Sequence, residues 1–362
     1  MGTRERTTWQ RWRRRLLLAA AAGAFALLAA EVALRVLRWF GHDDELARWR
    51  QETAAGTQLR PGQPVRLGQI VRPAREPDIV YELLPDLDVE FQRHPLRTGH
   101  LGCRGGDPPD PRPANAFVVV GIGDSVLFGA GVAAEQTFLA RLQQRLAAQL
   151  PQRTVVTVNT GVPGYNTAME VATLQAKCLP LRPDVVLIDF VENDFDLPNF
   201  LLLPPDPLRL DRCCLYDLAY RVLRADRRPN GPLEPAPMAD RLHFERDPAR
   251  VPAPYRHMVG VDGYRRALER LVALSREHGF HLLVSCHTEI DPAARAVCDA
   301  LGLPVVTAAE RQRAWLQTHA DVPLRESALV VAPDDLHPSA LGHDLLAEEL
   351  FAFLTQSGWL PH

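Results

Sequence analysis

Residues 117–131 read Phe-Val-Val-Val-Gly-Ile-Gly-Asp-Ser-Val-Leu-Phe-Gly-Ala-Gly. The first six, Phe117–Ile122, form a short Val-rich apolar run, the pattern of a strand buried on both faces. A Gly-Asp-Ser turn follows at once. Parallel sheets bind ligands at the carboxyl ends of their strands, so Ser125 stands where a nucleophile belongs. Gly121 and Gly123 also begin a dinucleotide-binding pattern, but Val126 occupies the place of its third glycine, which excludes that reading.

Outward from this stretch, further apolar runs occur at Val155–Val158, Val185–Val191, His281–Ser285 and Pro304–Val306. Amphipathic stretches lie between them. Phe138, Leu139, Leu142, Leu146 and Leu150 mark one helical face, and Leu268, Leu271, Val272 and Leu274 another, stopped by Gly279 as a C-terminal cap. Strands alternating with helices predict βαβ units, a parallel sheet and helices on both of its faces. Residues 115–362 make up this domain. Residues 196–258 interrupt its rhythm with eleven prolines and read as an insertion, either a lid over a substrate cleft or a surface excursion.

Three more blocks sit at strand ends or before the last helix. Val158-Asn-Thr-Gly-Val-Pro-Gly-Tyr-Asn-Thr167 supplies glycines, which let backbone N–H groups approach a substrate, and Asn166 as a turn or helix cap. Val191-Glu-Asn-Asp-Phe195 places the Asn193 amide where an oxyanion would develop, with Asp194 supporting the loop. Asp334-Asp-Leu-His-Pro338 offers His337 with a carboxylate to fix its tautomer. Three residues of separation in one loop favour Asp334 for that task, with Asp335 as the alternative, and Ser339 caps the last helix.

The chain has 362 residues, 46% hydrophobic and 23% charged, so wholesale disorder and fibrous repeats are excluded. Net charge is −3, and residues 1–15 carry six Arg against one Glu. The rest is therefore acidic, which argues against nucleic-acid binding by the body. Leu16–Ala30 is an unbroken small-or-apolar run. As a helix its fifteen residues rise about 22 Å, short of the roughly 30 Å hydrocarbon core. Continuation through Leu34, with Arg35 and Arg38 reaching outwards and Trp9, Trp12 and Trp39 flanking, fits an uncleaved signal anchor over residues 1–38 better than a cleaved signal. The basic side stays cytoplasmic, which places the chain beyond residue 40 outside the membrane. Residues 39–114, rich in Gly and Pro at the start, read as a stalk and lead-in. Six scattered cysteines form no metal or redox motif, and Cys286, inside an apolar run, reads as buried.

Taken together, the order and placement of the four blocks resemble the SGNH/GDSL hydrolase superfamily over residues 98–355. Gly123-Asp124-Ser125 is similar to its first block, Asn159 through Gly164 to its second, Asn193-Asp194 to its third, and Asp334 with His337 to its final D-x-x-H pair. Thr98-Gly-His-Leu-Gly-Cys-Arg-Gly105 resembles a lead-in of membrane-anchored bacterial members. Val191 departs from the pattern, which has glycine there. The resemblance implies a flavodoxin-like three-layer α/β/α sandwich and a serine hydrolase needing no metal or cofactor. Ser125, His337 and Asp334 would form the triad, and the Ser125 and Gly164 N–H groups with the Asn193 amide the oxyanion hole. Asp124 and Asp194 would support it. Membrane tethering suggests lipid, glycan or small-molecule esters, met on the periplasmic or extracellular side of a bacterial inner membrane. An O-acyltransferase acting on envelope glycans and a non-catalytic envelope protein use the same fold. Arg104 is expected in a salt bridge, with a contact at the active-site rim as the alternative. Oligomeric state is not readable from the sequence.

Overall fold

A computed structural model describes residues 2–54, 59–199, 213–223, 245–319 and 322–361. Helix α1 (Gly2–Ala54) is followed by short lead-in elements: β1 (Pro64–Val65), α2 (Leu67–Ile70), β2 (Val71–Pro73), β3 (Tyr81–Leu83), β4 (Asp88–Phe91) and β5 (His94–Arg97). The main domain then runs β6 (Ala116–Gly123), α3 (Ser125–Phe128), α4 (Phe138–Gln149), β7 (Thr154–Asn159), α5 (Thr167–Thr173) and β8 (Val185–Asp189). After α6 (Cys214–Leu223) come α7 (Gly260–His278), β9 (His281–Cys286), α8 (Pro292–Leu301), β10 (Val305–Thr307), α9 (Ala309–Thr318), the hairpin β11 (Val330–Ala332) and β12 (Asp335–Pro338), and α10 (Ala340–Gln356).

Five strands pair in the order β10-β9-β8-β6-β7, all parallel. This is the flavodoxin-like order, whose switch point lies between β6 and β8, the strands that lead to Ser125 and Asn193. All eight residues of β6 are buried, which explains its continuous apolar run. Alternate residues face opposite layers. Val118, Val120 and Ile122 join α5, α7 and α8 in one core, and Phe117 and Val119 join α4 and α10 in the other. Helix ends obey the sequence signals. Asn166 accepts from Met169 N–H at 3.2 Å, Gly279 ends α7 with φ +76°, and Ser339 accepts from Gly342 N–H at 3.3 Å. Cys286 is buried at the end of β9.

Residues 64–97 correct the stalk expectation. Pro77 and Pro85 stand in tight turns there, within a packed lobe. Ile70, Val71, Ile79, Tyr81, Leu83, Val89, Phe91 and Leu96 are buried together with Phe128, Val162, Tyr165 and Met169 of the main domain. Phe91 meets Phe128 edge-on at 5.8 Å between ring centroids. This lobe therefore packs against α3, the short helix that begins at Ser125.

In α1, Trp12–Leu37 has the length and apolarity of a membrane span, its most apolar 18 residues having mean hydropathy 2.1. Glu31 and Arg35 pair at 2.8 Å, and the Glu31 carboxylate also accepts the Cys214 and Leu215 N–H groups of α6, each at 2.9 Å. Most of the Pro-rich insertion, 200–212 and 224–244, lies outside the described residues, and with it the choice between lid and excursion.

Because the lobe is core, Phe91→Ala should lower unfolding free energy by about 3–5 kcal/mol, the usual loss for a buried Phe. Chemical denaturation of the full chain reads this. A detached stalk would leave the midpoint unmoved.

Candidate active site

Ser125 is the first residue of α3, directly beyond the carboxyl end of β6. Its own N–H is thus one of the helix's unpaired donors. Asp124 caps this helix. One carboxylate oxygen accepts from Val126 N–H at 2.8 Å, and the other lies 3.2 Å from Ser125 Oγ and 3.0 Å from Asn193 Nδ2. Burial raises the Asp124 pKa, while the Val126 and Asn193 donors pull the other way.

The far end of α3 is held by Arg104, which is buried. Its guanidinium donates to the Phe128 carbonyl, to Gly129 O at 2.7 Å and to Val132 O at 2.7 Å, and lies 4.4 Å from the Phe128 ring centroid. The expected salt bridge is replaced by these carbonyls, because a helix C-terminus exposes unpaired acceptors and attracts a cation. Burial pulls the Arg104 pKa down to about 10, so it stays charged at neutral pH.

His337 Nε2 lies 2.8 Å from Ser125 Oγ, and His337 Nδ1 lies 2.5 Å from Asp335 Oδ1. The carboxylate at the imidazole is therefore Asp335, not Asp334, which the D-x-x-H spacing favoured. The segment is a strand rather than a loop. Val330 pairs with Pro338 and Ala332 with Asp335, leaving Pro333 and Asp334 at the exposed hairpin turn. Side chains two apart share a strand face, so Asp335 and His337 point together. Burial lowers the His337 pKa, but the hydrogen bond and charge of Asp335 outweigh it and leave the imidazole above its usual 6.5.

Gly164 has φ +80°, and a Cβ there would collide with the Asn199 side chain and approach the Tyr81 hydroxyl. Only glycine fits this bend. Tyr81, from the lead-in lobe, donates to Pro163 O at 2.8 Å and so props the Gly164 loop. Asn159 ties the loop to α3 by donating to Leu127 O at 2.8 Å and accepting from Gly161 N–H at 3.0 Å. Asn193 sits in a turn that Asp194 closes by accepting from Val191 N–H at 2.9 Å. Val191 itself is extended, at φ −128° and ψ 153°, so no glycine is needed there. One Asn193 N–H goes to Asp124, and the amide has a second N–H to give. Among the described residues, no group of three or more His, Cys, Asp or Glu is placed to hold a metal ion.

The strand-end serine thus meets the imidazole with its carboxylate, and the glycine loop is tied to the helix that begins at this serine. The GDSL-like Lipase/Acylhydrolase family matches residues 122–345, more than half of the chain. The chain belongs to this family. As a GDSL enzyme it hydrolyses esters. No curated protein matches its sequence. Among solved structures it is similar to LAE5, an alpha/beta hydrolase from the metagenome of Lake Arreo, at 20% identity and TM-score 0.40, covering 69% of this chain and 98% of that one. The lipase/acylhydrolase of Enterococcus faecalis is 18% identical with TM-score 0.39, covering 67% and 96%. A lipolytic protein of the G-D-S-L family from Desulfitobacterium hafniense is 14% identical with TM-score 0.36, covering 65% and 98%. These likenesses are too distant to bear on substrate.

Tyr81 and Arg104 hold this GDSL site together, yet neither is evident from the four blocks. The Thr98–Gly105 stretch points toward Arg104, but Tyr81 carries no local signal.

The geometry separates two adjacent aspartates. Asp335→Asn should cut kcat by about 10³–10⁴, since the imidazole loses its tautomer and charge support, whereas Asp334→Asn should leave kcat unchanged. A basic His337 must be unprotonated to take a proton, so activity should fall as pH drops through its raised pKa. Residual activity of Asp335→Asn should show that acid limb moved to lower pH. Rate–pH profiles of both variants check this.

Proposed function

We propose that this GDSL enzyme is a serine esterase that works through an acyl-enzyme, tethered to a membrane by α1 with its hydrolase domain on the outer side. The relay from Ser125 Oγ through His337 to Asp335, at 2.8 and 2.5 Å, carries the reading. In this scheme Ser125 Oγ attacks the ester carbonyl carbon while its proton passes to His337 Nε2. Asp335 stabilises the resulting imidazolium. The oxyanion is met by the Ser125 and Gly164 N–H groups and the second Asn193 N–H, each such donor being worth about 10²–10³ in turnover. Collapse expels the alcohol, which takes the proton from His337. Water, deprotonated by the same imidazole, then attacks the acyl-enzyme, releasing the acid and restoring Ser125.

Tethering rests on the Trp12–Leu37 helix and the arginines before it, which by the positive-inside preference remain cytoplasmic. The substrates to which this points are carboxylic esters carried by lipids, glycans or small molecules at the cell envelope. Acetyl and short acyl esters are the first to test.

Full-length enzyme in detergent, assayed on nitrophenyl esters of increasing acyl length, should turn over, and Ser125→Ala and His337→Ala should each lose about 10³-fold or more. Turnover persisting in Ser125→Ala would contradict the mechanism.

A further inference from the structure

Five carboxyl side chains among the described residues are no more than 1% exposed: Asp196, which pairs with Arg246 at 2.9 Å, and Asp124, Glu170, Asp189 and Asp194 beneath the nucleophile. Asp124 is engaged by the nucleophile turn, and Asp189 Oδ1 accepts from the Ser285 hydroxyl at 2.5 Å. Glu170 and Asp194 are less well served. Asp194 Oδ2 accepts from Val191 N–H, but Asp194 Oδ1 and both Glu170 oxygens, like Asp189 Oδ2, find no hydrogen-bond donor among the described residues. These two carboxyls interact instead with each other, side chain to side chain. Two ionised carboxylates facing each other without water repel strongly, whereas a proton between them converts the contact into an O–H···O bond.

Their positions give this contact a purpose. Glu170 lies in the first turn of α5, whose cap, Asn166, ends the loop that carries Gly164. Asp194 closes the turn that carries Asn193, with its N–H bonded to Val191 O at 2.9 Å and its carboxylate bonded to Val191 N–H. The Glu170–Asp194 contact therefore joins the two loops that present the Gly164 and Asn193 donors.

We infer that Glu170 and Asp194 are positioning residues, a proton-sharing carboxyl pair that sets the spacing of the two oxyanion donors and releases it when the proton is lost. The inference rests on the serine-esterase reading above. Facing the pair are Asp189 at the end of β8, Asp124 before α3, Tyr165 before α5, Tyr264 of α7 and Cys286 at the end of β9. None of these is a cation. Burial raises both carboxyls well above the ordinary range, and the neighbouring Asp124 and Asp189 push the same way. A group whose pKa is raised by folding keeps its native contact at low pH and loses it as pH rises through that value. The clamp should thus hold at low pH and open as pH rises through that raised value, a loss to be sought on the alkaline limb of the rate profile.

The test compares full-length wild type with Glu170→Gln, which keeps a hydrogen-bond donor of the same shape but cannot ionise. Wild-type kcat should fall on the alkaline side with little change in KM. Glu170→Gln should keep its neutral-pH kcat within a few-fold and lose that alkaline limb, although the nearby tyrosines and Cys286 still titrate. Glu170→Ala should lose about 10²-fold at all pH values, the size of one misplaced oxyanion donor. An alkaline limb that stays unmoved in Glu170→Gln overturns the inference. Infrared difference spectra of wild type against Glu170→Gln supply a readout independent of turnover. A protonated-carboxyl band lost in the variant supports the pair, and loss of only a carboxylate band at neutral pH overturns it. Wild type that turns over no ester at any pH sinks the esterase reading and the positioning role together, while the infrared band still reads the pair itself.

Discussion

Strand β6 pairs with β7 on one side and β8 on the other, and it is covered on both faces. A slip of one residue would break two hydrogen-bond ladders and turn Val118, Val120 and Ile122 out of one core and into the other. The strand is therefore fixed along its length, and so is the point where it ends. Ser125 stands at that point, and the two neighbouring strands end beside it, carrying the Asn159–Gly164 loop and the Asn193 turn. The surroundings of Ser125 are a consequence of strand order at the topological switch point.

Around this fixed end, short polar devices do the fine placement. Asp124 holds the start of α3 and Arg104 its end, so a helix of only four residues is tied at both termini. Tyr81 supports the Gly164 loop from a lobe more than eighty residues upstream. His337 arrives from a separate hairpin at the other end of the chain, with its carboxylate two positions before it. Each group is rigid because it is buried or bonded on several sides, which is what preorganised catalysis requires.

Much of this is legible in residue pattern. Val-rich runs separated by amphipathic stretches announce the doubly wound sheet, and the cap residues act as their chemistry predicts, Asn166 and Ser339 starting their helices and Gly279 ending its own. The blocks carrying Ser125, Gly164 and Asn193 stand out by their places after Val-rich runs, and that carrying His337 by its place before the last helix. The partner of His337 is harder to read. Asp334 and Asp335 are adjacent and chemically identical, and the choice depends on whether the segment is a loop or a strand, a fact set by pairing with Val330–Ala332. The lead-in lobe escapes the sequence for a similar reason. Its strands have only two to four residues, too short to show a period, and their burial comes from contact with Phe128, Val162 and Tyr165 far along the chain. Arg104 is visible but its role is not, because its acceptors are backbone carbonyls, which have no residue signature.

The central claim is that Ser125 is a nucleophile activated by the Asp335–His337 relay. Covalent labelling of the full-length enzyme with a fluorophosphonate, with the adduct located by peptide mass spectrometry, tests it most directly. The account predicts a single phosphonyl adduct on Ser125 that forms rapidly in wild type and is lost in His337→Ala. An adduct on another serine, or no adduct on folded enzyme, would contradict it.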